Sequence, residues 1–359
     1  MKNLKLVKNF NILTQGLLMI VLSSLLFSMA TGISVWAFVV IFLLASLFIS
    51  KPKNALHDGV YREMWTGQIA KYIENLSKAI FLAGLPDYSQ SVATVGDENQ
   101  AIHLASMDVL PDVLINNTTY PIPLQSLDVA DVIITLDKYN TKRTPITDDE
   151  LFALSVKKMD AVVERHGLAI AINKFKKAIH ALAPGSGTAV MPVLLTTGAD
   201  DGTGRKRLTW DDVVALKRAL DNMDNVVPEE DRRLVLCSDH VNDLIVSDQR
   251  FQNQYYDRSS GKPYSQLGFE IMDYSGNPYF TPATKTKLSF GAIPAATDRK
   301  GSVFFAKSRT AIATGWTKMY YSIAAQHPDT QQNEVNFRHY FTALPTREAF
   351  RAAIVSNNV

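Results

Sequence analysis

VLPDVLINNTTYPIPLQSLDVADVIITLDKYNTKRTPITDDELFALSVKKMDAVVER, residues 109–165, changes its hydrophobic period once, near residue 147. Before that point it cannot be helical. Pro121 and Pro123 stand two apart, and each removes a backbone donor and disfavours helix in the residue before it. Val113 to Ile115 predicts a short strand. Val132, Ile134 and Leu136 alternate with Ile133, Thr135 and Asp137, the period of a strand. Tyr139 to Pro145 is polar and basic and predicts an exposed loop tip returning to the body. After that point the chain reads as helix. Thr147 is placed as an N-cap with Glu150 three residues on to complete a capping box, and Asp148 and Asp149 sit at the positive end of the helix dipole. Leu151, Leu154, Met159, Val162, Val163, Ile170 and Phe175 keep helical spacing until Pro184-Gly185 stops it. Such a helix of roughly 36 residues would exceed about 50 Å and act as a structural axis.

Upstream, residues 54–85 have helical spacing through Trp65, Ile69, Tyr72, Ile73 and Leu76, and a loop follows to Gln100. Residues 101–146 read as extended. Downstream the pattern is mixed α/β. It predicts a strand over Val190–Thr196, a helix from Trp210 to Asp224 capped by Thr209, a strand over Arg233–Ser238, a helix over Asp239–Val246 and a strand over Phe269–Tyr274. Residues 250–265 form a polar, aromatic loop. The last third is β-rich. Ser302–Ala306 and Thr310–Ala313 read as a hairpin around Lys307-Ser308-Arg309, and Met319–Ile323 as a separate strand. Val335, Phe337, His339 and Phe341 alternate with Asn336, Arg338 and Tyr340, a strong half-buried strand.

The 359-residue chain carries 37 basic and 35 acidic side chains, a net charge of +2, which argues against a polyanion-wrapping protein. One cysteine excludes a disulfide scaffold and a cysteine-built zinc site. The average hides two unlike parts. Of the first 50 residues 33 are hydrophobic, against about 44% of the remainder. Between Lys8 and Lys51 lie 42 uncharged positions. They comprise two apolar runs, Ile12–Ala30 and Ile33–Ile49, with Thr31-Gly32 as a turn. Two such runs predict a transmembrane helical hairpin, and lysines at both outer ends place both ends on the cytoplasmic side. The rival reading is a signal peptide with Leu17–Phe27 as its apolar region and a cleavage site at Ser28-Met29-Ala30. The second apolar run counts against it. Without the basic flank of that segment, residues 51–359 hold 34 basic and 35 acidic side chains, a net −1.

Catalytic and metal-binding patterns are not found in the sequence. There is no GxxxxGK[ST] phosphate loop and no GxGxxG fingerprint, and Gly198–Lys206 (GADDGTGRK) has the spacing of an exposed turn. The seven histidines (His57, His103, His166, His180, His240, His327 and His339) form no HxH or HxxxH pair and read as surface or satisfied core residues. Ser238-Asp239-His240 brings three triad residue types together, but consecutive residues cannot adopt triad geometry with one another. Cys237 lies in an apolar strand and reads as an inert buried thiol. Asn75 and Asn117 start glycosylation-type tripeptides, a pattern common by chance. Tyr139 to Arg143 mixes aromatic and basic residues, as a solvated loop or as a salt-dependent contact with a neighbouring subunit or a phosphate.

The order of elements is an N-terminal arm, an extended excursion, a very long helix, a central α/β region and a final β section. This order resembles the major capsid proteins of tailed bacteriophages, an α+β fold of the Hong Kong 97 type. Residues 109–165 look like the extended loop and spine helix of capsid proteins from phages and prophages of Bacteroidetes-type bacteria, most distinctively in VLINNTTYPI and TPITDDEL. ALPTREAFRAAIV, residues 343–355, looks like that family's closing segment. The resemblance covers residues 55–359. It implies an arm and connection over 51–107, an extended loop over 108–146, the spine helix of the peripheral domain over 147–185, an axial domain over 186–282 and peripheral strands over 283–359. Residues 1–50, the apolar hairpin, depart from the family.

The resemblance implies a non-enzymatic shell subunit with no cofactor, catalytic residue or metal. It would self-assemble into hexamers and pentamers of an icosahedral head that encloses double-stranded DNA without sequence preference. Tyr120, Ile122, Ile134, Leu136, Lys138, Tyr139, Lys142 and Arg143 are the candidates for contact with a neighbouring subunit. Some members crosslink a loop lysine to a neighbour's asparagine. Lys138 or Lys142 with Asn357 or Asn358 would be the candidates here, though both types are common on surfaces. A portal protein would be a further partner, as would the membrane through residues 11–49. The expected location is the virion, with assembly in the bacterial cytoplasm and a transient inner-membrane association. Two other readings remain open at this point: a membrane-anchored cytoplasmic α/β enzyme or binding module, and a non-viral nanocompartment shell.

Overall fold

The computed structural model describes residues 69, 79–95, 99–106, 112–118, 120–125, 130–223, 227–247, 251, 264–326, 329–330, 332–347 and 349–359. The chain divides into residues 1–63 and 64–359, and every described residue lies in the second unit. The expected apolar hairpin, most of the helix over 54–85 and most of the loop over 250–265 therefore lie outside the described residues. Among the described residues, no helix is long and apolar enough to cross a membrane.

The long helix, α1, runs from Asp148 to Leu182, 35 residues and about 52 Å. Its first turns are described by backbone alone, so the expected Thr147–Glu150 capping box lies outside the described side chains. The strand before it ends at Thr147, which places the boundary where the sequence does. From Val163 onward one stripe is buried: Val163, Ile170, Ala171, Phe175, Ala178, Ile179 and Leu182. The three- and four-residue spacing puts these on one face.

That stripe meets two sheets. Val163 and Ile170 pack with Ile146, Met319, Val335 and Phe337. These belong to a four-stranded sheet in which β14 (Gln332–Pro345) pairs with β13 (Thr310–Ser322) on one edge and with β4 (Asp137–Asn140) and β5 (Thr144–Thr147) on the other. Ala171 to Leu182 pack with Val235, Val303, Phe305, Ala353 and Val355. These belong to an eight-stranded mixed sheet. It contains β6 (Val193–Leu195), β7 (Arg232–Leu236), β8 (Tyr264–Gln266), β9 (Phe269–Asp273), β10 (Tyr279–Thr281), β11 (Thr286–Lys287), β12 (Arg299–Ala306) and β15 (Arg351–Val355).

The second face of this sheet is also covered. Leu234, Leu236, Phe269, Ile271, Phe304, Ala352 and Ile354 alternate with the residues facing α1. They pack against α2 (Trp210–Asp221) and α3 (Ser238–Ser247) through Val213, Leu216, Leu220, Val241 and Leu244. Burial on both faces is why β7, β12 and β15 read as unbroken apolar runs rather than alternating ones. Thr209 caps α2 with the expected geometry: its hydroxyl faces the Asp212 amide while the Asp212 carboxylate accepts from the Thr209 N–H at 2.9 Å. Between β8 and β9, Leu267 and Gly268 take φ of 53° and 75°, the left-handed pair of a tight hairpin turn.

Several expectations need correction. The expected hairpin of Ser302–Ala306 with Thr310–Ala313 does not form. β12 already has partners on both edges, and a 3-10 turn at Lys307–Arg309 carries the chain into the other sheet. Met319–Ile323 is not a separate strand but the end of β13, which continues past a bulge between Thr314 and Thr317. The expected boundary at 282/283 cuts through a sheet, since β12 and β15 pair with β7 and β6.

Two cations close the C-terminus of α1. Lys287 donates to the carbonyls of His180 (2.6 Å) and Ala183 (2.8 Å), and Arg351 donates to those of Ala181 and Ala183. They satisfy carbonyls that have no intrahelical partner and sit at the negative end of the dipole. Burial pushes the Lys287 ammonium down to about 8, with Arg351 adding to the effect. Lys287→Met is therefore expected to lower unfolding free energy by about 1–3 kcal/mol, because the His180 carbonyl loses its side-chain donor and Ala183 keeps only Arg351. Urea midpoints of the two proteins at equal concentration check this, and an unchanged midpoint would remove the capping role.

Candidate functional site

An arm projects from the four-stranded sheet. β2 (Asn99–Ser106) and β3 (Ala130–Thr135) pair antiparallel from Ala101↔Thr135 to Ser106↔Ala130, with β1 (Ala93–Val95) on the other edge of β2. Ile102 and Leu136 root it against Ala313 and Tyr340, and Trp316 at the β13 bulge stacks edge-on to Tyr340 at 4.8 Å. The tip lies between the strands. Its described residues, 112–118 and 120–125, contain no strand or helix, and the Asp112 N–H donates to Gln125 Oε1 at 2.7 Å across its base.

The tip is apolar and exposed. Val113 (82%), Leu114 (51%), Ile115 (82%), Tyr120 (74%), Ile122 (57%) and Leu124 (103%) make six of the fourteen large hydrophobic side chains exposed among the described residues. Six in twelve positions is a patch rather than the scatter normal for a surface.

The arm differs from the expected loop of 108–146. It begins at Asn99 and ends near Thr135. Val113 to Ile115 is not a strand and pairs with no strand among the described residues. Tyr139–Pro145 is not a loop tip. β4 and β5 run along β14, and the turn between them is held by Thr141, whose N–H donates to the Phe337 carbonyl and whose hydroxyl accepts from the Phe337 N–H.

The eight candidate contact residues therefore separate. Tyr120 and Ile122 are exposed on the tip. Lys138 and Lys142 are exposed beside α1. Leu136, at 6% exposure, and the half-buried Ile134 are used in the arm's root. Tyr139 is half-buried between two core clusters, and burial, then Asp137, drives its hydroxyl pKa well above the usual range. Arg143 pairs with Glu334 of the same chain at 2.8 Å. Val113, Leu114, Ile115 and Leu124 were missed. Their signal is a run of consecutive apolar residues in a segment where Pro and Asn deny it any element to be buried in. Asn358 also has work within the subunit, accepting from Arg299 Nε at 2.8 Å and donating to the Thr297 carbonyl.

Ser238-Asp239-His240 opens α3, with Ser238 and Asp239 exposed and His240 sealed. His240 is fully buried, its Nδ1 2.7 Å from Ser302 Oγ and its Nε2 2.8 Å from Ser356 Oγ. Asp243, one turn on, receives both terminal nitrogens of Arg205 at 2.7 and 2.8 Å and the Leu208 N–H at 2.9 Å. Arg205 also meets Asp201, whose carboxylate accepts from Thr203 within the exposed turn 198–206. These bonds tie that turn, α3, β12 and the C-terminal segment together. Among the described residues, the His240 ring is hydrogen-bonded to serines rather than to a carboxylate, and it is closed off from solvent. Cys237 is likewise buried, which pushes its thiol up to about 11. His339, at 1% exposure, faces Thr317 and Lys174 from within the core.

A family model described as phage capsid protein matches residues 129–356. The chain belongs to this family. The capsid protein is a structural shell subunit of the virion that self-assembles, not an enzyme. Its fold is similar to the capsid of cyanophage Pam1, with a TM-score of 0.54 and 11% identity over 79% of this chain and 93% of that one. It is also similar to the capsid of cyanophage P-SCSP1u, with a TM-score of 0.50 and 17% identity over 77% and 87%. These likenesses show the Hong Kong 97-type fold. No curated protein sequence matches the chain.

The buried knot gives the capsid protein an acid sensitivity. Burial holds His240 down at about 4, Arg205 lowering it further and Asp243 opposing. Below pH ~6.5 the unfolded chain takes up a proton that the folded state refuses, so stability falls from pH ~6.5 to ~4, by up to about 3 kcal/mol. His339, held at about 3 by burial and Lys174, acts in the same direction. Urea unfolding at pH 7 and pH 4.5 is expected to show this slope, and His240→Gln to reduce it while leaving the share of His339. A slope identical in the variant would assign the effect elsewhere.

Proposed function

We propose that the capsid protein forms the hexamers and pentamers of an icosahedral phage head around double-stranded DNA. The arm of β2 and β3 would lie across the adjacent subunit and bury its tip there. The observation that carries this reading is the tip itself: six exposed apolar side chains on a segment with no core of its own. A soluble subunit would hold such a patch in water only until a partner surface covers it. Tyr120 and Ile122 are the members of the expected contact set that lie on the tip. They act here together with Val113, Ile115 and Leu124.

The near-neutral body suits a shell that encloses DNA without wrapping it. Assembly would take place in the host cytoplasm, with a portal protein as a further partner. The apolar residues 11–49, flanked by lysines, support a transient association with the inner membrane during assembly.

Ile115→Asp with Leu124→Asp tests this reading. Both side chains are exposed, so the subunit is expected to fold with unchanged thermal stability. Particles in negative stain and the fast-sedimenting fraction are expected to disappear. Shells forming at the parent yield would overturn the role of the tip.

A further inference from the structure

The flank of α1 beside its buried stripe forms the floor of two open clefts. Arg165, Ala169, Asn173 and Lys177 recur every four residues and so lie in one row on the helix. The first cleft, of about 660 Å³, lies between this row and the β4–β5 turn, and Lys138, Lys142, Arg165, His166 and Lys177 stand in its wall. The second, of about 390 Å³, continues along the helix, with Lys176, His180 and Lys300 in its wall. Asn173 and Phe290 belong to both, so the two form one trough.

Neither wall contains an aspartate or glutamate. This one-sided charge sits on a body whose net charge is −1. Part of it is already engaged: Lys177 pairs with Asp137 at 2.7 Å, and Lys300 donates to the Ser275 carbonyl. Arg165 and Lys176 are exposed and have no ion-pair partner among the described residues. From Arg165 to His180 the trough follows about 22 Å of helix, the rise of about six base pairs of duplex.

We propose that this trough binds the phosphate backbone of the packaged DNA. Five lysines and one arginine on flexible stems suit a row of phosphates. Because they meet backbone rather than base edges, the contact would be independent of sequence. An acidic protein segment is the competing occupant. The trough's open, extended form and the quantity of polyanion inside a head favour DNA. The proposal rests on the shell reading but concerns residues other than those of the apolar tip.

Full-length unassembled protein is titrated with short duplex DNA from about 50 to about 200 mM salt, beside Arg165→Gln with Lys176→Gln. Each phosphate contact contributes about −0.9 to the slope of log affinity against log salt, so the double variant is expected to lose about 2 units of slope. Particle formation is followed in parallel and is expected to be unchanged. Equal slopes for the two proteins, with shells intact, would overturn the proposal and leave the shell reading standing. Loss of binding to a polyglutamate peptide with DNA binding unchanged would overturn it in favour of an acidic protein segment. A slope loss in a protein that never forms shells would support the trough and count against the shell.

Discussion

The buried stripe of α1 is the contact on which the other elements depend. Val163 and Ile170 belong to one core and Ala171 to Leu182 to another, so one rigid element fixes the four-stranded sheet relative to the eight-stranded one. Each sheet gains from this. β14 buries its inward residues Val335, Phe337, His339 and Phe341 against the helix side. The eight-stranded sheet gains a cover for a face that α2 and α3 leave open. The ends of the stripe are fixed as well, by the Ile146 contact at one end and the Lys287 and Arg351 caps at the other. A helix used in this way leaves a flank beside its buried stripe open, and Arg165, Lys176 and Lys177 stand along it.

The arm stands apart from this scheme. Its root is small: Ile102, Leu136, Ala313 and Tyr340 form the cluster beneath it. Beyond the root its strands have each other and β1 as partners, and the tip has no cover. In a monomer this is a cost without a return. On the proposed reading it would be the means by which one subunit reaches another in an assembly, and the sparse root would let the tip depend on the neighbour for its burial.

What could be read from the sequence follows from what fixes each element. Periodicity and capping are local, so the start of α1 near residue 147, its stop before Pro184, the Thr209 cap and the alternation in β14 were legible. Pairing is not local. Nothing in Ser302–Ala306 says that both of its edges are taken by β15, β7 and β10, and so the neighbouring run at Thr310 looked like its hairpin partner. Tyr139–Pro145 looked like a loop because its polar residues alternate around few apolar ones, yet β14 supplies the backbone that makes strands of it. The buried network of Arg205, His240, Asp243, Ser302 and Ser356 draws on four separated segments, and no spacing rule joins them.

On the proposed reading the tip would also set the character of assembly. Burying one exposed large apolar side chain is worth about 1.5–3 kcal/mol, so the five aliphatic side chains of the tip and Tyr120 offer about 9–18 kcal/mol. Association costs an estimated 4–15 kcal/mol in lost rigid-body freedom. One arm on one neighbour is then nearly balanced and reversible. A closed ring changes the sum, because its last contact joins bodies already held and loses little further freedom. An apolar tip of this size therefore suits a subunit that corrects its first contacts and becomes committed when the capsomer closes.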